Sequence, residues 1–93
     1  MTKAKATLLV GRLSAGNAWC AAAERDGADP LILFGFAPDE IHRHLHGRHP
    51  EDVEIILVKG WGRPGPDWNG ARATIQRYRA MGTEVRIWHG GRA

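Results

Sequence analysis

The sequence predicts a small α/β domain. Its sheet is mixed, with about five strands in the order β-β-β-α-β-α-β, and helices pack upon it. Three observations lead to that class. The chain has 93 residues, and size scaling gives roughly 64% of the unfolded surface buried on folding, enough for one core and too little for two domains. Residues 1–93 therefore read as a single domain. The composition, 43% hydrophobic and 25% charged, is that of a globular chain and excludes a rod or wholesale disorder. Short apolar runs are separated by turn signals in the first half and by helix-length segments in the second. The first pattern implies an antiparallel meander and the second implies parallel crossovers, so α+β is the variant of the same class.

Residues 6–13, Ala-Thr-Leu-Leu-Val-Gly-Arg-Leu, form a compact apolar run with β-branched members and read as a buried strand. Ser14-Ala15-Gly16-Asn17 is a turn signal. Residues 18–25 lie between that turn and Asp26-Gly27, a dipeptide that marks hairpins, and are assigned as a second strand. Their alanines also suit a helix. That alternative turns the chain into a β-α-β-α-β-α-β doubly wound sheet. Leu31 to Phe36 is apolar on both faces and reads as an interior strand.

Pro38-Asp39-Glu40 opens a helix, since proline suits the first turn and acids complement its positive end. Ile41 and Leu45 supply its buried stripe and Gly47 its stop. Val53 to Lys59 is the central strand, and the Gly/Pro loop 60–65 follows. Asp67 or Asn69 caps the next helix, which runs to Met81 with Ala71, Ile75 and Tyr78 inward and Gly82 at its C-cap. Glu84 to Trp88 alternates as a half-exposed last strand, and residues 90–93 form a loose tail.

This element order resembles that of the ribonuclease H-like superfamily, which includes Holliday-junction resolvase-like domains. The resemblance covers nearly the whole chain as topology. It implies a catalytic Asp on the first strand and further acids from the end of the fourth strand onward, holding divalent metals. Here Arg12 and Ser14 stand at the first position and Val58-Lys59-Gly60 at the second. The resemblance therefore carries fold without nuclease chemistry, and no cofactor is expected.

The net charge is +3, and ten of the thirteen cations are arginine, a residue suited to planar anions such as phosphate or carboxylate. No apolar run approaches the roughly 20 residues of a membrane span. Lys3 and Lys5 precede only Leu8-Leu9-Val10, too short for a signal-peptide core. Cys20 is alone, which suits a reducing compartment, so a cytoplasmic protein with no membrane partner is expected.

Gly60-Trp61-Gly62-Arg63-Pro64-Gly65 matches G-x-G-x-x-G between a strand and a helix, the context of a dinucleotide-binding turn. Pro64 and Pro66 remove amide donors from such a cradle, and the following strand ends in His89 rather than an acid. A stiff connecting loop is the simpler reading. Gly11 to Gly16 has the length of a P-loop but continues Asn17-Ala18 instead of Lys-Ser/Thr. Trp61, Arg63 and Trp68 cluster on the same loop, and Trp and Arg are enriched where binding energy concentrates. His42, His46 and His49 share one face of a helix at i, i+4 and i+7, the spacing of weak metal-ligand candidates without a completing acid or thiol. Cys20 sits among small apolar residues and reads as a packed thiol.

With no constellation of catalytic groups, the expected role is a non-enzymatic interaction module or accessory or inhibitory factor. Its partner would be a protein or nucleoprotein, contacted by Trp61, Arg63 and Trp68 with Arg72 and Arg79 as anion contacts. Direct nucleic-acid binding through the arginines is the second reading, and a nucleotide-handling enzyme built on Gly60–Gly65 the third. The edge of the last strand, with Val85 and Ile87 on one side and Trp88 on the other, is a candidate homodimer contact.

Overall fold

The computed structural model describes residues 5–62 and 64–93. The elements are β1 (Ala6–Val10), α1 (Leu13–Arg25), β2 (Leu31–Gly35), α2 (Pro38–Leu45), a 3-10 turn (Pro50–Asp52), β3 (Val53–Leu57), α3 (Pro66–Ala80) and β4 (Glu84–Ile87). They build one four-stranded sheet in the order β2-β1-β3-β4, and every pairing is parallel. The α/β class stands. The five-stranded mixed sheet does not, and the doubly wound alternative describes the observed order.

The correction turns on residues 13–25. The expected strand 6–13 ends at Val10, and Ser14 to Asn17 form the first turns of α1 rather than a chain reversal. Gly16 is buried inside the helix because a Cβ there would lie 2.7 Å from the Phe36 ring. Its role is close packing of helix on strand. Asp26-Gly27 closes the helix instead of turning a hairpin: Gly27 has φ 76°, its N–H donates to Glu24 O, and Ala28 N–H donates to Ala23 O. These paired bonds are the usual glycine C-cap. A helix at 18–25 removes the three-strand meander on which the resemblance to the ribonuclease H-like superfamily stood.

α2 begins as read, with Pro38 at its start and Asp39 and Glu40 in the first turn. The Glu40 carboxylate also accepts from Phe36 N–H at 3.3 Å, anchoring the entry to the helix. α3 is capped by Gly65, not by Asp67 or Asn69; Asn69 N–H donates to Gly65 O, and Pro66 occupies the first turn.

Alternation along the strands sorts the core onto two faces. Leu8, Val10, Ile55 and Leu57 meet Ile41 and Leu45 of α2 and Trp68, Ala71 and Ile75 of α3. Leu9, Ile56 and Val58 meet Trp19 and Ala23 of α1. β1 and β3 are thus covered on both sides, which is why they read as continuous apolar runs. Each fully buried Leu or Ile contributes roughly 1.5–3 kcal/mol. β2 and β4 are the edges, so Leu31, Phe34 and Ile87 stay exposed.

Polar ties fix the layers. Tyr78 OH donates to Leu45 O at 3.2 Å and Thr83 Oγ1 to Pro50 O at 2.7 Å. Thr7 Oγ1 donates to Glu54 Oε1 at 2.8 Å across β1 and β3. The tail, expected to be loose, folds back: Trp88 Nε1 donates to Arg92 O at 2.9 Å and Ala93 N–H to Asp26 Oδ2 at 3.1 Å. No helix among the described residues is long and apolar enough to cross a membrane.

Gly16 tests the helical assignment. Gly16→Val should destabilise the fold by about 1–3 kcal/mol through overpacking against Phe36, read in a urea denaturation curve. An unchanged midpoint would mean that α1 does not approach β2 as described.

Candidate functional site

Strand order decides where a ligand can enter. The chain steps from β1 to β2 on one side, then returns across β1 to β3 and on to β4. α1 therefore leaves β1 on one face of the sheet and α3 leaves β3 on the other. Their departing loops diverge and open a crevice at the C-terminal ends of the two central strands, the switch point where doubly wound sheets hold ligands. A cleft of about 800 Å³ lies there. Its walls come from the β1–α1 connection (Arg12, Ser14), the β3–α3 loop (Lys59, Trp61, Pro64) and the end of β4 (Trp88, His89).

Two glycines let the loops meet. A Cβ on Gly11 would lie 2.6 Å from both Val58 Cγ2 and Val58 O, so only glycine fits where β1 ends against β3. Gly60 has φ 95°, and the Arg12 side chain lies across it where a Cβ would stand. Arg12 N–H donates to Lys59 O at 2.8 Å, which fixes the arginine's main chain at the tip of β3. The main chains of Arg12 and Lys59 thus meet at the strand tips, and both residues line the cleft.

The electrostatics have one sign. Arg12, Lys59 and His89 line the cleft, and among the described residues no Asp or Glu does. α1 starts at this cleft with no acid in its first turn, whereas α2 carries Asp39 and Glu40 and α3 carries Asp67. Its positive end adds to the cations there. The aromatic walls are Trp61 and Trp88, both half-buried.

The expected contact residues separate in space. Trp61 lines the cleft. Trp68 is 9% exposed and belongs to the core beneath α3, because positions 68, 71 and 75 share the inward helix face. It offers no contact surface. Arg72 is half-buried on α3 and donates to Asn69 Oδ1, and Arg79 is exposed further along the same helix. Neither borders the cleft. Arg63 lies outside the described residues. Of the last strand's expected contact edge, Val85 packs on the α3 side, Ile87 lines the cleft and Trp88 packs on the α1 side.

The histidines do not share a helix face. α2 ends at Leu45, His46 is its extended C-cap, and His49 precedes the 3-10 turn. His42 Nδ1 lies 3.2 Å from Thr74 Oγ1, joining α2 to α3. Among the described residues no group of three His, Cys, Asp or Glu is placed to hold a metal ion. Sequence reasoning did not single out Arg12, Lys59 or His89 as site residues, and named Trp88 only as part of a dimer edge. The usable signal was the repeated strand end, Val10-Gly11-Arg12 and Val58-Lys59-Gly60, which marks a cleft only once the two strands are known to be neighbours.

Cys20 is half-buried on α1 and burial pushes its thiol up, so it holds its proton at neutral pH and is no activated nucleophile. A scan of family models, a search of curated proteins and a search of solved structures each return no match to this chain.

Cys20 should react with iodoacetamide at pH 7.5 more slowly than glutathione does, and at the glutathione rate once urea unfolds the chain. Native reactivity above that of glutathione would contradict the assigned environment.

Proposed function

We propose that the chain is a binding domain for a small anionic ligand, held in the switch-point cleft by Arg12 and Lys59. The observation that carries this reading is the coincidence of topology and charge. The crevice at the ends of β1 and β3 is lined by cations, and no acid among the described residues neutralises them. Guanidinium and ammonium groups pair with phosphate or carboxylate by charge-assisted hydrogen bonds. The volume, about 800 Å³, suits a small molecule.

The reading is of binding rather than turnover. His89 is the one imidazole lining the cleft among the described residues, and no carboxylate stands with it to orient it or share a proton. The expectation of a protein or nucleoprotein contact through the loop has less support, since Trp68 is committed to the core and Trp61 borders the cleft.

Thermal denaturation in the presence of pyrophosphate tests the proposal. At one hundred times Kd a ligand adds about 2.7 kcal/mol, roughly 10 °C or more in melting temperature for a domain of this size. Arg12→Ala and Lys59→Ala should each weaken binding by about tenfold or more, the worth of a hydrogen bond to a charged group. Arg79→Ala, on the outer surface of α3, should leave it unchanged. A shift that persists in Arg12→Ala and Lys59→Ala, or no shift beyond a sodium chloride control of equal ionic strength, would overturn the assignment.

A further inference from the structure

The cleft holds a second kind of chemistry beside its charge. Trp61 packs against the core on the α2–α3 side of the sheet, and Trp88 packs against the core on the α1 side. Both also line the cleft. The two indoles therefore border it from opposite faces of the sheet, with the strand tips and their cations between them. Trp88 is held by its edge, since its Nε1 donates to Arg92 O, and the part of it that is not packed on the core borders the cleft. Trp61 N–H donates to Val58 O, a tight turn that brings the residue back over the end of β3.

We infer that the ligand is a nucleoside monophosphate, its base set between Trp61 and Trp88 and its phosphate on Arg12 and Lys59. The inference rests on the anion reading above and adds the aromatic half of the ligand. Indole faces stack on any nucleobase, because every base presents a π-face. Phosphate falls to the cations because the β3–α3 loop lacks two of the amide donors of a phosphate cradle: Pro64 lines the cleft and Pro66 follows, and neither has an amide hydrogen. A single mononucleotide is indicated over a dinucleotide. The latter is held across two such halves, whereas the described residues form one four-stranded sheet with one reversal of order.

Isothermal titration of the full chain tests this. The probes are the four common nucleoside monophosphates, adenosine, ribose 5-phosphate and inorganic phosphate. At least one nucleotide should bind ten or more times tighter than ribose 5-phosphate and than adenosine. Trp61→Ala, checked for its fold by circular dichroism, should bring that nucleotide to the level of ribose 5-phosphate and leave ribose 5-phosphate unchanged. If ribose 5-phosphate matches every nucleotide, or the preference survives Trp61→Ala, the aromatic slot is overturned and the anion site stands. If adenosine matches its nucleotide, or no probe binds, the anion site falls with it.

Discussion

The pairing of β1 with β3 is the interaction on which the rest depends. These strands are neighbours in the sheet although β2 lies between them in the chain. Their register runs from Ala6 opposite Val53 to Val10 opposite Leu57. It continues beyond the strands, as Val58 N–H donates to Val10 O and Arg12 N–H to Lys59 O. Both strands are covered on each face, so a slip of one residue would send Leu8 and Val10 to the side that takes Leu9. Side-chain packing therefore locks the backbone ladder, and the ladder fixes where the two loops part. The cleft is a consequence of that register, with Gly11 and Gly60 permitting the close contact it demands.

Much of this was legible in the sequence, and the failures have physical causes. The apolar runs at 6–10 and 53–57 stand out because their strands bury side chains heavily, and α2 announces itself through Pro38, Asp39 and Glu40. The run at 31–35 suggested an interior strand, but β2 is an edge with Leu31 and Phe34 exposed. α1 was missed because its signals serve two structures. Glycine within Ser14–Asn17 suggests a turn, yet Gly16 is there to admit the Phe36 ring. Asp-Gly suits a hairpin and a helix end equally, since both use the positive φ that glycine adopts freely. One misassigned element then changed the topology, because a strand at 18–25 makes a meander and a helix makes a parallel crossover.

The site was less legible than the fold for a different reason. Trp61 could be named from its loop, but Arg12, Lys59 and Trp88 belong to separate segments that only the strand order unites. Trp68 shows the opposite error. Its nearness to Trp61 in sequence suggested a shared surface, while its spacing to Ala71 and Ile75 placed it on the buried face of α3. Periodicity was the better guide there, because burial of a large ring outweighs adjacency along the chain.

A cleft of one charge sign also places a constraint on the fold. Arg12 and Lys59 meet through their main chains at the strand tips, beside the positive end of α1, with no lining acid among the described residues. Elsewhere the chain pairs such charges: Arg43 with Asp39 at 3.3 Å, Lys5 with Glu84 at 3.7 Å. Like charges brought together destabilise the compact state, and the repulsion is greatest within a Debye length of about 8 Å at physiological salt. Two cations beside the positive end of α1, with no lining acid among the described residues, are the arrangement on which the proposed anion site rests. Under the proposal, that excess of positive charge at the strand tips is what draws the ligand.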